Sequence, residues 1–212
     1  MLPLPYQELT PNPRDYERLP LVKASGFREY DARWLIGSEI NALGFRALGL
    51  GLGTLLQVRG VKPHIVVGHD YRSYSMDAKN ALITGLIGAG CTVYDVGLAI
   101  TPMAYFAQFN LDVPAVAMVT ASHNENGWTG VKMGMERPFT FSPDEMSALK
   151  DIVLGGKWVE RDGGQLIDAP DVARRDVDDL NKGPRLTRRL KVVVACGNGT
   201  AGVFAPQVIE RM

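Results

Sequence analysis

Short runs of β-branched and apolar residues alternate along this chain with helix-length segments, and that alternation constrains the fold more than any other feature. The runs are 64–68 (HIVVG), 91–96, 113–120 and 190–196 (LKVVVAC). Strands of this kind are buried on both faces and pair in parallel, with helices as their crossovers. The pattern from Ser38 onward is helical. Ser38 can cap, and Ile40, Leu43, Ala47, Leu48, Leu52 and Leu55 recur at three- and four-residue steps. Gly44, Gly49, Gly51 and Gly53 lie within it, each costing a helix up to about 1 kcal/mol, and they imply a neighbour that approaches closely. Helices are also predicted over 75–89, 102–109 and 142–154, the last opened by the capping box Ser142-Pro143-Asp144-Glu145. A helix near 171–180 is stopped by Gly183-Pro184, and another starts at Val203. The class that follows is α/β, with helices covering a mostly parallel sheet.

Charge and composition narrow the partners. Lys plus Arg and Asp plus Glu number 23 each in 212 residues, so no net field draws the chain to nucleic acid or to a membrane surface. Any anion site must be built locally. The opening MLPLPYQELTPNP has no basic region, and the longest apolar stretch, 47–56, is far shorter than the roughly 20 residues of a membrane span. The expectation is a soluble, cytoplasmic protein. Cys91 and Cys196 both sit in strand-like runs and are expected as buried free thiols in a reducing compartment. Residues 1–22 hold five prolines and read as an extended, surface-hugging arm.

In open α/β sheets, ligands gather beyond the carboxyl ends of the strands. The loop after 113–120 is the richest of these ends, carrying Ser122, His123, Asn124, Glu125, Asn126 and Gly127, with Lys132 ten residues beyond Ser122. A serine hydroxyl is a poor nucleophile unless a base or metal assists it. Esterified with phosphate, it becomes a dianion with three acceptor oxygens, for which Lys132 and His123 could supply partners. The G-x-S-x-G frame of a serine hydrolase is absent here. A second motif, Gly197-Asn198-Gly199-Thr200-Ala201-Gly202, fits G-x-G-x-x-G, yet dinucleotide binding also needs a second strand and a later acidic residue. These glycines are expected to form a tight strand-to-helix turn.

The run TASHNENGWTGVKM at 120–133 resembles the phosphoserine loop of the α-D-phosphohexomutases, the family of phosphomannomutases and phosphoglucomutases. Four further segments are similar to that family in the same order: FREYDAR at 27–33, VGHDYR at 67–72, DVGLAITPM at 95–103 and VVVACGNGTAG at 192–202. The resemblance implies a three-layer α/β/α domain with a mostly parallel mixed sheet. It assigns 1–22 to an N-terminal arm, 23–185 to domain I with the phosphoserine loop, and 186–212 to a severed beginning of domain II.

The same resemblance implies an isomerase that interconverts hexose 1-phosphate and hexose 6-phosphate through a hexose 1,6-bisphosphate, which also serves as activator. Ser122 would carry the phosphoryl group and give one oxygen to Mg²⁺. His123 would act beside it as acid, base or orienting group. Lys132 and Arg33 would neutralise the transferring phosphate, and Tyr30 would line the entrance. Asp70 and Arg72 read as a loop brace. His69 and Trp34 depart from the Arg and Gly usual in the family, Ala195 from an Asp, and 125–128 from a more proline-rich stretch. The family's metal loop does not occur here, nor do its sugar-reading domains. The chain by itself is therefore expected to be inactive, its partners being hexose phosphates and the missing C-terminal domains. The rival reading is a non-catalytic α/β phosphoprotein or partner-binding module.

Overall fold

The computed structural model describes residues 2–9, 13–183 and 186–212. Among them, six strands form one sheet in the order β1-β5-β4-β2-β3-β6. These are β1 (Asp31–Leu35), β2 (His64–His69), β3 (Thr92–Leu98), β4 (Ala115–Val119), β5 (Trp128–Gly134) and β6 (Gln165–Asp168). The pairs β4–β2, β2–β3 and β3–β6 are parallel, whereas β5 runs antiparallel to both β4 and β1. The sheet is thus mostly parallel and mixed, as expected for this α/β class.

Alternation along the strands divides the core in two. Ile65, Val67, Ala117 and Val119 face α2 (Ala42–Val58), α3 (Ser75–Gly88) and α5 (Pro143–Leu154). Val66, Val116 and Met118 face α4 (Thr101–Asn110), α6 (Val172–Leu180) and α7 (Ala201–Ile209). Three layers result, because both faces of each central strand are apolar and each needs a cover.

The glycines of α2 have the expected cause. A Cβ on Gly49 would stand 2.1 Å from the Leu82 carbonyl oxygen, and one on Gly85 would stand 2.1 Å from that of Arg46. Backbone meets backbone where α2 crosses α3, and only glycine permits it. The cap differs from expectation. Asn41, not Ser38, opens α2, its Oδ1 accepting from Gly44 N at 2.8 Å and Leu21 N at 3.0 Å. Its Nδ2 donates to the carbonyls of Tyr16 and Leu19, so one side chain starts the helix and ties down the arm. Ser38 loses because the arm's carbonyls lie within reach of Asn41.

Within the arm, Pro13–Tyr16 forms one helical turn, α1, and Leu21 and Val22 are buried. The capping box of α5 is present, with Ser142 N donating to Glu145 Oε2 at 2.6 Å. Helix α6 ends at Leu180, before Gly183, and Pro184 lies outside the described residues.

The strand expected over 190–196 does not form. Those residues pair with no strand, and Val193 is 88% exposed. Cys196 is accordingly half-buried rather than buried, while Cys91 is buried, its thiol pushed up to about 11 by desolvation. Among the described residues, no helix is long and apolar enough to cross a membrane.

Candidate active site

Strand β4 ends at Val119, and the chain then turns through Ala121 and Ser122 before β5 returns. Ser122 takes φ +55°, a left-handed conformation that costs a non-glycine residue about 1–3 kcal/mol and persists only where surroundings fix it. Here they do. Ser122 N donates to Thr120 Oγ1 at 2.9 Å, and the Thr120 hydroxyl donates to Asp70 Oδ2 at 2.8 Å. Asp70, nearly buried beyond the end of β2, also accepts from the Ser75 hydroxyl and from Arg72 N. Its ion pair with Arg72 Nε measures 3.4 Å.

The Arg72 guanidinium then crosses to the serine loop and donates to three of its backbone carbonyls: Ser122 at 3.5 Å, Asn124 at 2.5 Å and Glu125 at 2.9 Å. Tyr74 completes the frame, its hydroxyl accepting from Gly127 N and donating to the Trp128 carbonyl, both at 2.9 Å. Asp70 and Arg72 are thus the loop brace read from the sequence. Tyr74 was not anticipated, because a tyrosine at a helix start carries no signal of contacts 53 residues away.

Arg33 reaches the loop from the opposite side. Its Nη1 donates to Asn124 Oδ1 and lies 3.5 Å from the Ala121 carbonyl. Its Nε and Nη2 both donate to Asp31 Oδ2, at 2.9 and 2.7 Å. Gly130 stands opposite Arg33 in the β1–β5 register, and a Cβ there would come 2.1 Å from the Ala32 carbonyl oxygen and 3.1 Å from Arg33 Cγ. The bare glycine lets Arg33 lie across β5. Lys132 pairs in register with Asp31, and its Nζ lies 3.7 Å from the same Oδ2.

Ser122 Oγ lies 3.3 Å from His123 Nδ1, and both residues line a cleft of about 960 Å³. Its far wall is the turn at 197–200 and the start of α7, held to the near wall by Tyr71 N donating to Thr200 Oγ1 at 3.0 Å. The G-x-G-x-x-G glycines make a turn into α7, with Gly197 at φ +54°, and no strand precedes it. Tyr30 is exposed in the turn before β1 and does not line this cleft. Among the described residues, no cluster of three or more His, Cys, Asp or Glu side chains could hold a metal ion. The residues present do not by themselves fit a Mg²⁺ site, which needs several oxygen ligands.

A mixed α/β/α domain with a strained serine on a braced loop, which Arg33 reaches while Lys132 shares the Asp31 carboxylate with it, belongs to the class of α/β domains whose chemistry sits at the carboxyl edge of the sheet. Residues 24–160 match the family described as phosphoglucomutase/phosphomannomutase, alpha/beta/alpha domain I. The chain belongs to that family. A phosphomannomutase/phosphoglucomutase of Pseudomonas aeruginosa is 32% identical over 195 residues, which is 92% of this chain and 41% of that protein. A phosphomannomutase of Escherichia coli is 36% identical over 203 residues, covering 90% and 42%. The crystal structure of a phosphoglucomutase/phosphomannomutase family protein from Burkholderia thailandensis superposes with a TM-score of 0.82 at 31% identity, covering 90% of this chain and 43% of its own. The chain therefore spans about two fifths of the length of these relatives.

Proposed function

We propose that the protein to which this chain belongs is a phosphomannomutase/phosphoglucomutase, moving a phosphoryl group between C1 and C6 of a hexose through phosphorylated Ser122. The observation that carries this reading is the left-handed Ser122, fixed by Asp70, Thr120 and Arg72 at the mouth of a cleft. In the transfer, the bond from phosphorus to Ser122 Oγ breaks as a bond from phosphorus to a sugar hydroxyl forms. The sugar hydroxyl gives up its proton and Ser122 Oγ regains one, the serine end served by His123. The bound 1,6-bisphosphate then turns, and the other phosphate returns to Ser122.

Arg33 and Lys132 stabilise the charge on the transferring group, the usual dominant contribution in phosphoryl transfer. Tyr30, exposed and outside the cleft of this chain, would line the entrance to the site of the whole protein. Mg²⁺ would neutralise phosphate charge, taking one oxygen from esterified Ser122 and its other ligands from outside this chain. A hexose 1,6-bisphosphate acts as activator by restoring phosphate to Ser122. The chain alone, without the domains that would read the sugar, is inactive, and the whole protein works in the cytoplasm.

The test is intact-mass analysis and peptide mapping of the full-length protein, with mutase assays on glucose 1-phosphate and mannose 1-phosphate. One phosphate on Ser122 is expected, and Ser122→Ala should abolish both label and turnover. Phosphate on another residue overturns the site. Unchanged turnover in Ser122→Ala returns the domain to a non-catalytic role.

A further inference from the structure

We infer that Asp31 is a positioning residue for phosphoryl transfer, a single carboxylate that aims Arg33 and Lys132 at the serine loop together. The inference rests on the mutase reading above and extends it to a residue that touches no substrate. Its basis is one shared atom. Asp31 Oδ2 accepts Nε and Nη2 of Arg33 and also faces Lys132 Nζ. That engages one edge of the guanidinium and leaves Nη1, the arm that reaches Ala121 and Asn124 of the serine loop. A planar guanidinium held along one edge has little freedom left in the direction of the other.

The strand register makes the arrangement rigid. Asp31 and Arg33 are two residues apart on β1, so both project to one face, and Lys132 on β5 stands directly opposite Asp31. The Asp31 side chain is 4% exposed and that of Arg33 9%, so neither charge has water to fall back on. Two cations against one carboxylate leave a net positive cluster behind the loop, which suits a dianion. Within each turnover, while the bisphosphate is bound and Ser122 carries no phosphate, the same carboxylate keeps both cations paired, since a buried charge left alone is costly.

A plain strand brace would show the same ion pairs, so the experiment must separate the two roles in the full-length protein. Wild-type mutase activity and phosphate on Ser122 are read first; their absence defeats the mutase reading, and this inference with it. Given both, Asp31→Asn removes the charge and keeps the shape. The expected result is a fall in kcat of about 100-fold, the size of a small misalignment of reacting groups. KM should stay near wild type and Ser122 should remain phosphorylated.

In a Lys132→Ala background the further loss from Asp31→Asn should shrink, because part of what Asp31 positions is gone. A wild-type kcat in folded Asp31→Asn overturns the inference, as does a full, additive loss in the Lys132→Ala background. If Asp31→Asn fails to fold, Asp31→Glu carries the test by keeping the charge and moving it by one methylene. A lowered kcat at unchanged KM is then expected, and wild-type kcat rejects the positioning role.

Discussion

Two apolar runs of this chain look alike in sequence and end differently. Ala115–Val119 (AVAMV) is a central strand, buried residue by residue between β2 and β5. Residues 192–196 (VVVAC) are as rich in valine, yet Val192, Val193 and Val194 are exposed and no strand lies alongside. Composition makes a segment able to be a strand; only a neighbouring backbone makes it one, because unpaired N–H and C=O groups gain nothing from an extended conformation. The serine loop has the advantage of the first region. It leaves a fixed strand and is pinned by Arg72 and Tyr74.

The largest effect should come from exchanging equivalent side chains in the two runs. Met118→Ala removes a buried side chain packed against the α4 layer, and should destabilise this chain by about 2–5 kcal/mol in denaturant unfolding. Val193→Ala, at a surface position, should change stability by no more than about 0.5 kcal/mol. Comparable costs at the two sites would mean that 192–196 has a partner in solution, and the contrast would fail.

Next in size is Arg72→Ala, which unties the loop from its brace. Three loop carbonyls lose a charged donor, and hydrogen bonds to charged groups contribute about 1.5–3 kcal/mol each at most. Their geometry is uneven, so a net loss of about 2 kcal/mol in stability is expected. Under the proposed mutase function, turnover of the full-length protein should fall by about 100-fold as Ser122 leaves its left-handed conformation. Retained turnover would show that the serine holds its place without the guanidinium.

The legible parts of this fold were local. The α5 capping box, the boundaries of α3, and the apolar runs of β2 and β4 could be read because each element's signal lies within its own few residues. Strands β1 and β5 could not. Their sequences, DARWL and WTGVKMG, mix charge, glycine and aromatic residues, since one face of this pair carries Asp31, Arg33 and Lys132 instead of a core.

The site was legible differently. Ser122, His123 and Lys132 stand out at the end of a predicted strand, whereas Arg33 and the role of each residue came through resemblance. The Asp31–Lys132 pairing joins residues about a hundred positions apart, and Tyr74 joins a helix start to a distant loop. Such contacts exist only once the sheet has formed. The missing strand over 190–196 has the same lesson in reverse, since its apolar pattern was read but no partner backbone stands beside it.

The gentlest probe leaves the fold untouched and uses the one cysteine in each region. Cys91, beside β3, is buried, and desolvation pushes its thiol up to about 11. The thiolate is the reacting species, so raising the pKa keeps Cys91 in the neutral, inert form at pH 8. Reactivity should appear only as pH approaches that value, or on unfolding. Cys196 is half-buried, in the segment without a strand partner. At pH 8, native chain treated with iodoacetamide should therefore take up one label, at Cys196, and a second only in denaturant. Equal rates at both cysteines would place Cys91 within reach of solvent and remove the distinction between the packed sheet and the segment that follows it.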